Sequence, residues 1–157
     1  MKEQLSCALT GHRVLPATFD RRRLFEELEE IIRSGCNYFF CGMAEGFDLT
    51  SLSLLLELKD RYPIHIEACV PFRGQSKKFS EQNRRLYHDL ILQCDKITTL
   101  SDEYQKGCFL VRDRYMVDRA DLVFAYCTKS TGGTAYTVRY ALSLGVKVIF
   151  SGANEPS

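Results

Sequence analysis

The sequence predicts an α/β fold in three layers, a mostly parallel sheet of about six strands with helices on both faces. Two patterns carry that expectation. Short runs rich in β-branched and aromatic residues, such as Tyr38-Phe39-Phe40-Cys41 and Leu122-Val123-Phe124-Ala125-Tyr126, alternate with stretches whose apolar residues recur at helical spacing. Parallel neighbours need a long return path, which the intervening helices supply, and these crossovers are expected to be right-handed. In addition, 157 residues of which 45% are hydrophobic suffice for one sizeable core, so residues 1–157 are expected to form a single domain.

Residues 4–10 read as the first strand, ended by Gly11-His12-Arg13. Pro16, Thr18 and Asp20 mark a helix start, and Leu24, Leu28, Ile31 and Ile32 form its apolar stripe up to Ser34-Gly35. Residues 38–41 form the second strand and run into Gly42-Met43-Ala44-Glu45-Gly46-Phe47-Asp48. Leu49, Leu52, Leu55 and Leu56 mark the next helix. The third strand, residues 64–70, lies between Pro63 and Pro71. Residues 80–94 read as a polar amphipathic helix, 96–100 as a short strand and 107–119 as a helix. The central strand, 121–126, is followed by Thr128-Lys129-Ser130-Thr131-Gly132-Gly133-Thr134. A helix carrying Ala135, Val138, Ala141 and Leu142 comes next, with Gly145 as its C-terminal glycine, and residues 146–150 form the last strand.

Composition limits the function classes. The net charge of +1 supplies no global basic field, which makes nucleic acid an improbable partner and offers nothing to an anionic membrane. No stretch approaches the roughly 20 apolar residues of a membrane span. The start Met1-Lys2-Glu3-Gln4-Leu5 lacks the apolar region of a signal peptide, so a cytoplasmic protein is expected. The seven cysteines include no C-x-x-C pair and only three histidines could join them, so reduced thiols are expected, with no metal and no cofactor.

In a parallel sheet the loops after the strand C-termini share one rim, where ligands bind at a topological switch point. Four loops are expected there. Residues 130–134, lying between a strand and a helix, allow free backbone N–H groups and the positive end of a helix to converge on a phosphate, although a lone Gly-Gly-Thr also suits an ordinary connection. Gly11 permits a sharp turn, Arg13 brings a planar donor fork, and His12 either donates to a ligand or merely packs. Gly42 and Gly46 flank Ala44 and allow close approach to the main chain; Asp48 either accepts a ribose hydroxyl or caps its helix. The Pro71–Gln75 loop offers Phe72 for base stacking beside Arg73 and the Gln75 amide.

These motifs together resemble a known family. Ala-Leu-Thr-Gly-His-Arg (8–13), Gly-Met-Ala-Glu-Gly-Phe-Asp (42–48), Arg-Asp-Arg-Tyr-Met-Val-Asp (112–118) and Ser-Thr-Gly-Gly-Thr (130–134) look like the SLOG superfamily, YpsA-like branch, with the LOG phosphoribohydrolases and the DNA-processing protein DprA more distant. The resemblance spans about residue 5 to residue 150 and implies a Rossmann-like fold with a pocket for nucleotides, ADP-ribose or NAD. It places Gly11, Gly42, Gly46, Asp48, Gly132, Gly133 and Thr134 on the pocket. With the neighbouring loop residues, the candidate ligand set is Gly11, His12, Arg13, Gly42, Met43, Ala44, Gly46, Asp48, Phe72, Ser130, Gly132, Gly133 and Thr134.

LOG enzymes carry R-K-x-x-M and P-G-G-x-G-T-x-x-E. Aligned here, the arginine is Arg112, the lysine becomes Asp113 and the glutamate becomes Thr137. Without that carboxylate the LOG mechanism needs a substitute from Glu45, Asp48 or Asp118, which leaves Arg112 and Asp118 as catalytic candidates. A cytoplasmic module that senses a nucleotide-derived small molecule is therefore expected. A nucleotide hydrolase is the alternative, turnover and homo-oligomeric or protein partners are left open, and DprA-like DNA binding ranks last because of the balanced charge.

Overall fold

The computed structural model describes residues 4–152, so residues 1–3, part of the N-terminal stretch expected to lack a signal peptide, lie outside the described residues. The elements are β1 (Leu5–Gly11), α1 (Arg21–Arg33), β2 (Cys36–Cys41), α2 (Phe47–Leu58), β3 (His65–Val70), α3 (Glu81–Ile91), β4 (Lys96–Thr99), α4 (Cys108–Arg119), β5 (Leu122–Tyr126), α5 (Gly133–Ser143) and β6 (Lys147–Phe150). A short 3-10 turn at Gln75–Lys78 precedes α3. All six strands are parallel, in the order β4-β3-β2-β1-β5-β6.

Local chemistry sets the boundaries. Asp20 Oδ1 accepts the Arg23 N–H at 3.0 Å to cap α1, and Ser80 Oγ accepts the Asn83 N–H at 3.1 Å to cap α3. Gly145, at φ 77°, closes α5 with its N–H on the Leu142 carbonyl. Strand alternation then divides the core. Cys7, Leu9, Phe39, Cys41, Ile66, Leu122 and Phe124 face α1, α2 and α3, where Leu24, Leu28, Leu52, Leu55 and Leu90 pack on them. Ala8, Phe40, Cys69, Val123 and Ala125 face Met116 and Val117 of α4 and Val138 and Ala141 of α5. Burial on both faces is why the central runs read as continuously apolar.

One buried charge interrupts that pattern. Glu67 of β3, 2% exposed, accepts from the hydroxyls of Tyr38 (2.5 Å), Tyr115 (2.7 Å) and Thr98 (2.7 Å). Burial alone would raise its pKa, but the three hydroxyls outweigh it and hold the carboxyl below its ordinary value.

The strand order fixes the site. From β1 the chain winds outward through β2, β3 and β4, then returns to place β5 on the other side of β1. The switch point is the gap between β1 and β5, and a ligand crevice is expected beyond their carboxyl ends.

Candidate functional site

A cavity of about 260 Å³ occupies that position, with Gly11, Arg13, Asp48, Arg112, Asp113 and the 131–134 loop in its wall. Its floor is built on Arg112, which α4 carries on its inner face together with Asp113, Met116 and Val117. The guanidinium is 5% exposed; Nε donates to Asp113 Oδ1 at 2.6 Å and Nη1 to the Gly42 carbonyl at 2.5 Å. Burial opposes its charge, but Asp113 and Asp48 outweigh this and raise its pKa. The other Asp113 oxygen, Oδ2, lies 2.9 Å from Thr137 Oγ1, which also reaches the Gly133 carbonyl at 2.9 Å; one hydroxyl proton serves one of them at a time.

Asp48, in the first turn of α2, is 5% exposed. Its Oδ2 accepts the Ala44 N–H at 3.2 Å, and its Oδ1 has no hydrogen-bond partner among the described residues. Burial pushes its pKa up to about 7, against the pull of Arg112 and the Ala44 bond. Near neutrality this carboxyl can hold a proton in the cavity wall.

The glycines work mainly through contact. A Cβ on Gly42 would stand 2.8 Å from the Arg112 guanidinium, and one on Gly11 2.3 Å from the Phe47 ring. Gly46, at φ 81°, lies against the His12 and Arg13 carbonyls, where a Cβ would come within 2.3 Å of main-chain atoms that cannot move aside. Gly46→Ala is thus expected to cost roughly 2–5 kcal/mol, from left-handed backbone strain plus overpacking. Its urea midpoint should fall with an unchanged denaturant slope.

The candidate residues divide by position. Gly11, His12, Arg13, Ala44, Asp48, Arg112, Gly132, Gly133 and Thr134 line the cavity. His12 Nε2 accepts the Thr128 N–H at 2.9 Å, so this ring pins the β5–α5 loop to the end of β1, and its pKa is lowered by burial and by Lys129. Asp48 does not cap α2, whose N-cap is Gly46; it ties down the Ala44 N–H instead.

Gly42, Met43, Gly46 and Ser130 do not line the cavity. Gly42 and Gly46 supply close packing, and Met43 is wholly buried in the core at φ 63°, the one non-glycine in the left-handed region among the described residues. The exposed Ser130 accepts Arg139 through its carbonyl. Asp118, the second catalytic candidate, lies outside the cavity on the exposed side of α4, its Oδ1 accepting the Tyr140 hydroxyl at 2.6 Å. Six residues at about 100° each turn it well away from Arg112. The Gln75 amide is also engaged, donating to the Gly42 carbonyl at 3.1 Å and accepting from the Tyr87 hydroxyl at 3.1 Å.

Asp113 and Lys129, which the sequence places in a motif and in a rim loop without a ligand role, and Tyr104 and Phe109, which no motif marks, also line the rim cavities. Asp113 and Lys129 line the first cavity. Tyr104 and Phe109 join Phe72, Lys77 and Lys78 around a second cavity of about 540 Å³, and Arg13, Ala44 and Phe109 belong to both. The signal was available, because in an all-parallel sheet the loop after β4 shares the rim with the other four.

Solved structures share this architecture. DNA processing protein A from Helicobacter pylori, described for its single-stranded DNA binding mode, superposes with a TM-score of 0.68 at 17% identity over 93% of this chain and 64% of that one. DNA processing protein A from Streptococcus pneumoniae also gives 0.68, at 18% identity over 93% of this chain and 50% of that one. Among curated sequences, a UPF0398 protein of Halalkalibacterium halodurans is 24% identical over 79% of this chain and 68% of its own length. A UPF0398 protein of Brevibacillus brevis is 26% identical over 76% of this chain and 62% of its own length. The chain therefore spans about two thirds of these curated relatives and half to two thirds of the solved proteins.

The likeness to DNA processing protein A overturns the expectation that nucleic acid is an improbable partner. Net charge alone does not exclude nucleic acid, because the binding of a strand depends on the charge of a local groove. The two rim cavities carry Arg13, Lys77, Lys78, Arg112 and Lys129 against Glu45, Asp48 and Asp113, a local excess of cations, whereas the four glutamates of α1 are matched by four arginines on the same helix. No helix among the described residues is long and apolar enough to cross a membrane. A family model matches residues 18–145, and the chain belongs to that family, the YspA SLOG family (YpsA).

Proposed function

We propose that the protein is a cytoplasmic nucleotide-binding module whose first cavity takes the phosphate-bearing end of its ligand. The carrying observation is one cavity walled by the start of α5, by Arg13 and Lys129, and by a buried carboxyl with an unpartnered oxygen. Gly132 and Gly133 open α5 without a side-chain cap, leaving its first N–H groups for an anion. The single-stranded DNA binding of the Helicobacter protein extends the ligand class to nucleotides within a strand. The free state of all seven thiols suits a reducing compartment.

Adenosine monophosphate at a hundredfold excess over its dissociation constant should stabilise the protein by about 2.7 kcal/mol, or roughly 5–11 °C in Tm. Gly133→Leu should abolish the shift while leaving the unliganded Tm close to wild type, since nothing lies within 4 Å of a Cβ there. A folded Gly133→Leu protein with an undiminished shift would remove the phosphate from this loop.

A second reading, turnover, is favoured by Asp113. A carboxylate at the place of the LOG lysine reaches Thr137, at the place of the LOG glutamate, so the wall contains carboxyl groups although Thr137 cannot ionise. Asp48 would serve as proton donor to a departing base. Free base released by wild type and lost on Asp113→Asn would establish this reading, and binding without release would leave the sensor.

A further inference from the structure

The second cavity is walled in part by aromatic residues that lie outside both hydrophobic cores. Phe72, Tyr104 and Phe109 pack edge to face, with centroid separations of 5.4 Å for Phe72–Tyr104 and 5.9 Å for Phe72–Phe109, yet none of the three belongs to either hydrophobic core. Tyr104 is 60% exposed. The Arg13 guanidinium lies over the Phe109 ring at 4.5 Å, which places a planar cation on the boundary between the two cavities.

Size separates the roles of the cavities. The first, at about 260 Å³, falls just below the roughly 300–1,000 Å³ of small-ligand sites and suits a sugar phosphate better than a whole nucleotide. The second, about 540 Å³, adjoins it and is lined by Phe72, Tyr104 and Phe109 together with Glu45, Lys77 and Lys78. Aromatic faces bind any base by stacking, and cations beside them suit a phosphodiester or phosphate.

We propose that the Phe72–Tyr104–Phe109 shelf is a base-binding subsite that stacks the base of a nucleotide whose phosphate lies at Gly132–Thr134. The proposal rests on the phosphate assignment above. Its chemistry is shared by a free nucleotide and by a nucleotide within a single strand. Arg13 bridges the two halves, its guanidinium facing phosphate on one side and aromatic rings on the other.

The test uses three probes on the full chain: ribose 5-phosphate, 2-aminopurine riboside 5′-monophosphate, and a short single strand with 2-aminopurine in its middle. Stacking should quench 2-aminopurine fluorescence on binding. Tyr104→Ala, at an exposed position outside both cores, should weaken the fluorescent nucleotide by about 5–150-fold, the range of one base–aromatic stack, and leave ribose 5-phosphate binding unchanged. Stronger, salt-sensitive quenching of the strand would name a strand as the source, and quenching of the mononucleotide alone a free nucleotide. If ribose 5-phosphate binds but the nucleotide binds no tighter and is not quenched, the base subsite is wrong and the phosphate site survives. If ribose 5-phosphate and the nucleotide both fail to bind wild type, the phosphate assignment falls and takes the shelf with it. Equal weakening of both ligands by Tyr104→Ala would also overturn the proposal.

Discussion

Arg112→Ala is expected to destabilise the protein by about 3–5 kcal/mol, the largest single effect anticipated for a site residue. The substitution strands two buried carboxyl groups, Asp113, which loses its 2.6 Å partner, and Asp48, which loses the cation that most opposes its burial. It also leaves the Gly42 carbonyl without its donor and opens the space into which the guanidinium now packs. At about 2–4 °C per kcal/mol for a chain of this size, a fall in Tm of roughly 6–20 °C follows. Asp113→Asn keeps an acceptor for Arg112 and should cost much less. Similar Tm values for the two variants would show that Arg112 is not the keystone of the floor. Loss of activity in Arg112→Ala alone would therefore not identify a catalytic group, because the same change dismantles the cavity.

The second large effect depends on pH. Asp48 has an ordinary pKa of 3.8 that folding raises to about 7, so between those values the folded chain holds a proton that the unfolded chain has released. The associated stability is fully present below about pH 4 and is lost as pH rises through 7, by roughly 4 kcal/mol in all. Asp48→Asn cannot ionise, and its amide oxygen can still accept the Ala44 N–H. Unfolding free energies measured in urea should thus show wild type losing roughly 4 kcal/mol relative to Asp48→Asn between pH 4 and pH 8. Parallel pH profiles would mean that Asp48 titrates normally.

The contrast between fold and site shows which information is local. β5 was legible because burial on both faces forces a continuous apolar run, and α1 because Asp20 caps it and its stripe keeps helical spacing. The family was legible because three short motifs lie in order at strand ends and a fourth, residues 112–118, lies on α4, and the family match bears the resemblance out. The 3-10 turn at Gln75–Lys78 was not, since four residues carry no periodicity.

At the site, residue type marked the loops but not the partners. Gly42 reads from sequence as room for a ligand, whereas in the fold the Arg112 guanidinium, seventy residues away in the chain, takes the space beside it. Asp113 reads as a lost lysine, and only the packing of α4 against α5 brings it to Thr137. Asp118 differs again, because helical spacing alone turns it away from Arg112 to the exposed side of α4. The loop after β4, with Tyr104 and the approach to Phe109, is marked by topology alone, as the end of one more parallel strand.

The most direct test of phosphate binding at the start of α5 is a two-dimensional ¹H–¹⁵N NMR titration of the wild-type protein with adenosine monophosphate. The largest shifts are expected at the amides of Gly132, Gly133 and Thr134, with smaller ones at Gly11 and Ala44 and little change on α1 or β6. Saturable shifts confined to other parts of the surface, with those three amides unmoved, would contradict the assignment.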